Sequence, residues 1–593
     1  MKQIHLYSLV ALFSVIFTGC QKDFLDRTPE TNISDADYWK TSNDLKLYAN
    51  NFYNNLLPNY NGWGSIGIYG LDADGSDNMI YVTYNSAMNG ERVIPGSGGG
   101  YGAYDDWSML RNMNYFMANY TKVTEPFDNV KTYVGEALFF RAYFYFSKLK
   151  SFGDLPWVSK PLETSSPEVY NERLPRNQIV DSILQDLDLA VSYLPTKAQA
   201  QPSRITKEVA MLFLSRIALF EGTWEKYHQG TVFGVSGSDG RKYLEKAAAV
   251  SGALLTTSGG YGLHDLGDDP YGYWKLFNKV DYTGNNEIML WRAFNINLGL
   301  GHRWHRYTNT GAGRGLSKDL VDAYLCKDGL PIGVSSLYKG DATLQDVVTD
   351  RDPRLRQTMY VNDGEHVVTN NRPNGLAPAL FMYPTFEVAN ENKSITGYQV
   401  YKGHNPDYNQ QQDQGTTGQI IFRFAEGLLI YAEARAELGL LSQDDLDKTV
   451  NLLRKRVGMP KLMLGAVTTD PNQEFKDLSP ILNEIRRERR VELAAEGYRA
   501  DDLYRWAAMD EKIIGKRQKG AKRQQWEVPG VPENTAKAAK NLPIDDKGYI
   551  DFYQNVGGLK NGFQFNKDRD YLSPIPVDQL TLNPKIKQNP GWK

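Results

Sequence analysis

Apolar residues recur at steps of three and four along much of the chain, which is the spacing of an amphipathic α-helix. Between these stretches lie long segments rich in Gly, Asn, Asp and Tyr that show no helical period. The pattern predicts helices over residues 35–57, 107–120, 134–152, 176–194, 206–224, 241–255, 423–438, 445–456 and 478–495, with Ser34 as the N-cap of the first helix.

The helix predicted over 134–152 has the clearest pattern. Its rings at Phe139, Tyr143 and Phe146 follow steps of four and three, which places them on one face. The helix is expected to end at the Gly-Asp-Leu-Pro turn of residues 153–156, because glycine and proline both terminate helices.

Residues 258–420 lack helical periodicity, although a short strand is predicted over 287–291. The helices on either side occur as neighbouring pairs, which is typical of stacked helix hairpins of the tetratricopeptide type. The sequence therefore predicts a mainly α fold, in which a tetratricopeptide-like helix-hairpin scaffold carries a loop-rich, partly β insertion lobe.

The N-terminus has the pattern of a secretory signal. Lys2 is followed by an apolar run over 6–17 and then by Thr18, Gly19 and Cys20, which reads as a lipobox despite Phe17 in place of the usual Leu. We expect cleavage before Cys20 and lipidation of Cys20; the alternative is an ordinary secreted protein. No later segment is long and apolar enough to span a membrane.

These patterns divide the chain into regions. They are a signal peptide over 1–19, a lipidated N-terminus and tether over 20–40, an N-terminal helical region over 41–257 with a ligand-loop insertion at 58–104, the lobe over 258–420, and a C-terminal region over 421–593.

Charge and cysteine content narrow the function classes. Lys and Arg number 67 against 70 Asp and Glu, a net charge of −3 that argues against a nucleic-acid partner. Once Cys20 is lipidated, Cys326 is the one remaining cysteine, which rules out an internal disulfide or a cysteine metal site. Its apolar neighbours predict a buried side chain.

Signatures of enzymes are missing. The sequence has no Gly-x-Ser-x-Gly elbow, no His-Glu-x-x-His and no phosphate-binding Gly-rich loop. His302 and His305 are three residues apart, yet two imidazoles alone make a poor metal site. Residues 72–78 resemble the start of a calcium loop, but Asp77 stands where the calcium hand requires Gly, and a polar turn is the alternative. We therefore expect no cofactor, with calcium as the one ion left open.

The chain is rich in aromatic residues, with 11 Trp, 37 Tyr and 24 Phe. A flat ring can pack on the apolar face of a sugar, while Asn, Asp and Arg can bond its hydroxyl groups. Two loop segments combine these types, and the alternative is that many of the rings pin the loops to the body. The candidate ligand-binding residues are Trp63, Tyr69, Asp77, Tyr81, Tyr84, Arg92 and Tyr101 in the first segment, and Trp291, Arg292, Asn295, Trp304, His305, Arg306 and Tyr307 in the second.

A series of motifs in a fixed order resembles the SusD/RagB family of outer-membrane nutrient-binding lipoproteins. The most specific are EALFFRAYFYFSKLKSFGDLP at 136–156, RDPRL at 351–355 and IRRERRVELAAEGYRADDLYRW at 485–506. The others are the stretch from Cys20 to Pro29, and residues 107–114, 423–439, 451–460, 574–576 and 589–592. Within the 485–506 motif, Arg486, Glu488, Arg489, Glu492 and Glu496 stand at helical steps and are expected to pair along one face.

The resemblance implies a definite role. It implies a protein anchored to the outer membrane through Cys20, which covers a SusC-like TonB-dependent β-barrel transporter and delivers an oligosaccharide to it without chemistry of its own. The ligand-contacting residues vary within that family, so none is carried over by position. Two alternatives stay open: the same role with peptide cargo, and a surface glycoside hydrolase, whose carboxylate pair could not be found from spacing alone.

Overall fold

The computed structural model describes residues 38–59, 66–98, 103–386, 393–412 and 415–593. Its first half is built from long helices, as the sequence pattern predicts. They are α1 (Ser42–Leu56), α2 (Ser108–Asn119), α3 (Phe127–Phe152), α4 (Arg176–Tyr193), α5 (Lys207–Tyr227) and α6 (Arg241–Thr257).

The lobe contains only short elements. Its helices are α7 (Gly272–Lys275), α8 (Trp304–Thr308), α9 (Lys318–Ala323), α10 (Leu344–Val348) and α11 (Pro353–Thr358). Two small antiparallel sheets tie it to the rest of the chain: β1 (Met79–Tyr81) pairs with β3 (Arg314–Leu316), and β2 (Ile288–Arg292) pairs with β4 (Gln419–Arg423). The strand predicted over 287–291 is therefore confirmed, one residue further along.

Helices return in the C-terminal region. They are α12 (Phe424–Glu437), α13 (Gln443–Asp447), α14 (Val450–Arg456), α15 (Pro480–Glu492), α16 (Arg499–Arg505), α17 (Met509–Lys512), α18 (Glu533–Lys540) and α19 (Val577–Leu582). Among the described residues, no helix is both long enough and apolar enough to cross a membrane.

The helices pack as a stack, which confirms the predicted helix-hairpin scaffold. Helix α3 lies against α4, α4 against α5, α5 against α6, and α6 against α12, which continues the stack to α15. At its centre, the rings of Phe139, Tyr143 and Phe146 on α3 surround Phe213 of α5, with centroid distances of 5.1, 5.3 and 5.9 Å. The ring spacing in the sequence thus correctly predicts the face of α3 that packs against α5.

Several helix boundaries differ from the prediction: α3 begins at Phe127, seven residues before the predicted start, and two other differences have local reasons. Helix α1 begins at Ser42 because Thr41 and Asp44 form a capping box, and the predicted cap, Ser34, lies outside the described residues. The helix predicted over 445–456 is two helices, because Thr449 has a non-helical backbone with ψ −95°.

The charged residues of α15 do not pair along one face of the helix, so that prediction is wrong. Arg486 binds Glu437 of α12 at 3.1 Å, Arg489 binds Asp502 of α16 at 2.9 Å, and Glu488 binds Arg354 of α11 at 2.6 Å. All are buried, because α15 packs against α9, α12 and α14. A buried charge must find an opposite charge wherever the fold brings one near. The charged face of α15 therefore joins helices that are distant along the chain.

Candidate functional site

The two aromatic loop segments predicted to bind ligand meet in the fold. Strand β1 of the first segment pairs with β3, which follows the second segment, and this places Tyr81 opposite Arg314. The Arg292 guanidinium donates to the carbonyl oxygens of Pro58 at 3.1 Å and Leu57 at 3.3 Å, where the first loop begins. The two segments are therefore joined near their ends, through β3 and through Arg292.

Tyr81 and Arg314 form a stacked pair on this surface. The guanidinium carbon of Arg314 lies 4.3 Å from the ring centroid of Tyr81, and both side chains are half-buried. Arg314 donates through Nη1 to the Ala312 carbonyl oxygen at 3.3 Å, and its Nε has no partner among the described residues. Burial lowers the pKa of Arg314, an effect that Tyr81 and the exposed Asp74 carboxylate oppose. The pair thus holds a flat ring and a charged hydrogen-bond donor together at the surface.

A second aromatic side chain extends this surface. The Tyr553 hydroxyl donates to the Tyr81 carbonyl oxygen, which brings its half-buried neighbour Phe552 close. The Lys393 ammonium lies 5.4 Å from the Phe552 ring centroid, and the Lys393 carbonyl oxygen accepts from Gly313, next to Arg314. We name these five residues the Tyr81–Arg314 patch: Asp74, Tyr81, Arg314, Lys393 and Phe552.

Four of the predicted ligand contacts lie in the interior. Tyr69 is 2% exposed and donates to the Phe277 carbonyl oxygen at 2.9 Å. Trp304 stacks on His302 at 3.7 Å between centroids, and Tyr307 packs with Ile66 and Ala312. Asp77 is fully buried. The expectation that these side chains face solvent is wrong, because they fix the loops to the body of the protein.

His305 is also buried and belongs to a histidine cluster. Its Nε2 lies 2.8 Å from the Thr417 hydroxyl, and the ring centroids of His302 and His404 are each 5.6 Å away. Burial lowers the pKa of all three imidazoles, to about 4 for His302 and His404. Within the described part of the chain, no group of three His, Cys, Asp or Glu side chains is placed to hold a metal ion.

In the first segment, Tyr84 and Arg92 are half-buried and already engaged. The Tyr84 hydroxyl donates to the Glu91 carboxylate at 3.0 Å, and its ring meets Tyr553 edge-on, beside the patch. Arg92 donates to the Ser573 hydroxyl at 3.0 Å and lies 5.6 Å from the Trp592 ring. Tyr84 therefore adjoins the patch, whereas Arg92 fastens the loop to the C-terminal tail.

The surface residues of the second segment form a separate group. Trp291 is half-buried against Tyr282, and Asn295 caps a short turn by accepting from the Asn297 amide at 2.9 Å. Arg306 is exposed, with its guanidinium 6.0 Å from the Tyr307 ring. None of these side chains has a contact with the patch among those described. Trp63, Tyr101 and Cys20 lie outside the described residues.

Two carboxylates of the acidic loop at 72–78 bind buried groups of the protein. Asp72 accepts from the backbone amides of Ala495 at 2.8 Å and Gly497 at 2.9 Å. Asp77 accepts from Arg499 at 2.6 Å and lies 3.3 Å from Arg490. Burial would raise the pKa of Asp77, but these guanidinium groups hold it well below its ordinary range. The two carboxylates thus neutralise or cap buried groups rather than facing solvent.

Sequence reasoning missed Asp74, Arg314, Lys393 and Phe552. A signal existed for Arg314, which stands within the run Gly-Ala-Gly-Arg-Gly, where small neighbours leave a long side chain accessible. Phe552 had no such signal, because its contact with Lys393 joins the C-terminal region to the lobe and forms only in the folded chain.

Comparisons with known proteins agree over most of the chain. A family model described as the SusD family matches residues 279–592, and one described as starch-binding associating with outer membrane matches residues 23–219. A SusD-like protein, P38, from Formosa agariphila is 24% identical over 518 residues, which cover 85% of this chain and 91% of the relative.

Solved structures show the same fold. A SusD-like carbohydrate-binding protein from Bacteroides fragilis superposes with a TM-score of 0.68 at 20% identity, covering 93% of this chain and 100% of that one. A laminarin-binding SusD-like protein superposes with a TM-score of 0.53 at 19% identity, covering 93% of this chain and 100% of the other. The mainly α fold expected from the sequence is confirmed.

Proposed function

This chain belongs to the SusD family, and on that premise we propose that it binds an oligosaccharide or polysaccharide at the cell surface and passes it to a SusC-like TonB-dependent outer-membrane transporter. The observation that carries the binding step is the stacked Tyr81–Arg314 pair, which lies where the two aromatic loop segments meet. The family relatives named as carbohydrate-binding or laminarin-binding support a glycan as the cargo.

The patch offers the groups that a sugar needs. The rings of Tyr81 and Phe552 can receive the C–H faces of sugar residues, since an aromatic ring combines apolar area with a negative face. Arg314 and Lys393 can donate to hydroxyl oxygens, and the exposed Asp74 carboxylate can accept from hydroxyl groups. We propose binding without catalysis, because Asp74 is the one carboxylate of the patch, whereas glycoside cleavage uses a pair. The carboxylates of Asp72 and Asp77 are buried and held by amides and guanidinium groups.

Replacing Tyr81 by Leu is expected to weaken glycan binding about tenfold, because an apolar side chain remains but its aromatic face is lost. Tyr81→Phe keeps that face and is expected to bind within about twofold of the wild type. Isothermal titration calorimetry with a panel that includes starch and laminarin measures both affinities.

A surface ring away from the patch provides the control. Phe127 is exposed at the start of α3, and Phe127→Ala is expected to leave the affinity unchanged. Equal affinity for wild type and Tyr81→Leu would show that the patch is not the site. Heat with peptides and none with any glycan would favour peptide cargo, and release of reducing ends by the purified protein would favour hydrolysis.

The attachment that we propose rests on Cys20. A single lipid chain holds a protein only weakly, at roughly 0.8 kcal/mol per buried methylene, so stable anchoring requires several chains on the cysteine. An anchored binding protein would remain near its transporter, which raises the effective concentration of cargo at the entrance of the barrel.

Replacing Cys20 by Ala is expected to move the protein from the membrane fraction to the soluble fraction of the cell, because no lipid can then be attached. The matched control is Cys326→Ala, which removes the buried thiol and should leave the protein in the membrane fraction. Immunoblots of the fractions, with co-purification of a β-barrel partner from detergent-solubilised membranes, measure both steps. Membrane retention of Cys20→Ala would contradict the anchor.

A further inference from the structure

A cleft of about 520 Å³ lies beside α2. It lies between the first turn of α2, the loop over 156–171 and helix α19 with the residues that follow it. No residue of the patch lines it. The volume falls within the range of about 300–1,000 Å³ that is usual for small-molecule sites.

The walls of the cleft are apolar and partly aromatic. Val158, Leu162 and Ile586 line it together with the rings of Trp107 and Tyr170. Tyr170 is 51% exposed, at the end of a short turn. Its ring makes no aromatic contact among the described residues, so its faces are open to a ligand. An exposed ring over an apolar cleft suits a ligand that also has a flat apolar face.

The Tyr104 hydroxyl at this cleft is unusual because it is buried without a partner. Tyr104 is 2% exposed, and its ring is fixed by edge-on contacts with Trp107 and Phe152. Its oxygen has no hydrogen-bond partner within the described residues, and burial raises the pKa of Tyr104 to about 12. Since buried polar groups are nearly always hydrogen-bonded, an unpaired hydroxyl at a cleft indicates a bond made by a ligand.

The remaining polar groups favour a neutral ligand. The cations at the rim are already engaged: Lys160 pairs with Glu168 at 2.5 Å, and Arg111 donates to the Leu162 carbonyl oxygen at 2.8 Å. The one lining carboxylate outside this pair, Asp105, has an Oδ1 without a hydrogen-bond partner among the described residues, so it can accept from a hydroxyl group of a ligand. The Tyr170 hydroxyl and the side-chain amide of Gln579 have no hydrogen bond to described residues. Hydroxyl and amide groups both donate and accept, which is what sugar hydroxyl groups also do.

We propose that this cleft, which we name the Tyr104 cleft, is a second saccharide-binding site that takes a short neutral glycan. The C–H face of a sugar packs on Tyr170 and Trp107, and a ring hydroxyl bonds to the Tyr104 hydroxyl. The site does not depend on the Tyr81–Arg314 patch, since the two surfaces share no residue.

Hydrogen exchange measured by mass spectrometry on the full chain tests the site directly. The probes are maltotriose, laminaritriose, mannotriose and galactotriose, with a Leu-Leu-Phe tripeptide as the apolar alternative. We expect at least one trisaccharide to protect backbone amides over 104–111 and 577–586. Absence of protection by all four sugars, or protection by the tripeptide alone, overturns the proposal.

Two substitutions separate a binding role from a structural one. Tyr170→Ala is expected to weaken the trisaccharide about fivefold through loss of the ring. Tyr104→Phe is expected to weaken it by a similar factor while leaving thermal stability unchanged or higher, because it removes an unsatisfied buried group. Unchanged protection in both variants overturns the proposal. In Tyr81→Leu, protection at the cleft should persist, so this site and the proposed patch can fail independently.

Discussion

Replacing Glu492 by Ala is expected to lower the free energy of unfolding by about 3–5 kcal/mol, one of the two largest effects that we predict. Glu492 is fully buried at the end of α15. Its carboxylate lies 2.8 Å from Arg423, 2.6 Å from Arg456 and 3.0 Å from Arg354. The substitution leaves these three guanidinium groups in the interior with one anion fewer.

The protonation of Glu492 supports this role. Burial alone would raise its pKa, but Arg456, Arg423 and Arg354 hold the pKa below its ordinary value, so the side chain stays ionised. The partners cannot adapt by losing a proton, since arginine remains charged in proteins. The cost therefore comes mainly from uncompensated buried charge and not from the strength of any one ion pair.

Urea unfolding followed by circular dichroism measures the change in Glu492→Ala, and Glu492→Gln preserves the side-chain volume to separate charge from packing. The matched control is Asp444→Asn, which breaks the exposed pair with Lys448, whose side chains are 68% and 66% exposed. Exposed pairs contribute little, so no measurable change is expected in the control. A loss in Glu492→Ala as small as in the control would refute this account of the network.

The ion pairs of Glu492 also show which contacts cannot be predicted from the sequence. The rings of α3 could be predicted because helical spacing is a local property, and Phe139, Tyr143 and Phe146 do pack together around Phe213. The partners of Glu492 could not, because Arg354 and Arg456 belong to α11 and α14 and meet it only in the folded chain. Local spacing predicts the helix, but it does not predict which residues the charged side chains of that helix bind.

The candidate site also combines features that composition could predict with features that it could not. Composition located both loop segments, and the pairing of Tyr81 with Arg314 brings them together. Composition could not separate a ring that binds from a ring that pins a loop. Trp304 belongs to the second kind, because Gly67 passes so close to it that a Cβ at that position would lie 2.7 Å from the indole. The Tyr104 cleft was missed because its walls come from the start of α2, a loop and the C-terminal tail.

Lowering the pH from 7 to 5 is expected to destabilise the protein by about 2 kcal/mol for each of four buried histidines, His228, His302, His305 and His404. Burial lowers the pKa of His302 and His404 from 6.5 to about 4, lowers that of His228 to about 3, and lowers that of His305 well below its ordinary value. Each ring already has a hydrogen-bond partner as the neutral form, such as the Thr417 carbonyl oxygen 2.9 Å from His302 Nε2. The folded state therefore resists protonation.

The loss of stability at low pH follows from the difference in proton binding between the folded and unfolded chains. Below pH 6.5 the unfolded chain takes up protons on these histidines while the folded chain does not, so protonation favours unfolding. The stability is fully present above pH 6.5 and is lost as the pH falls towards about 4, the pKa of His302 and His404 in the folded state. Glu492 and Asp77 do not contribute in this window, because their pKa values are held below their ordinary range.

Urea unfolding at pH 7, 6 and 5 gives the slope of stability against pH, and a double variant, His302→Gln with His404→Gln, identifies its source. The variant should be less stable at pH 7, because Gln cannot reproduce both ring contacts, yet its slope between pH 5 and 6.5 should be shallower by about 2 kcal/mol per pH unit. A slope equal to that of the wild type would mean that these two histidines take up protons equally in the folded and unfolded chains. The buried cluster beneath the second loop segment would then have no part in the acid sensitivity of the fold.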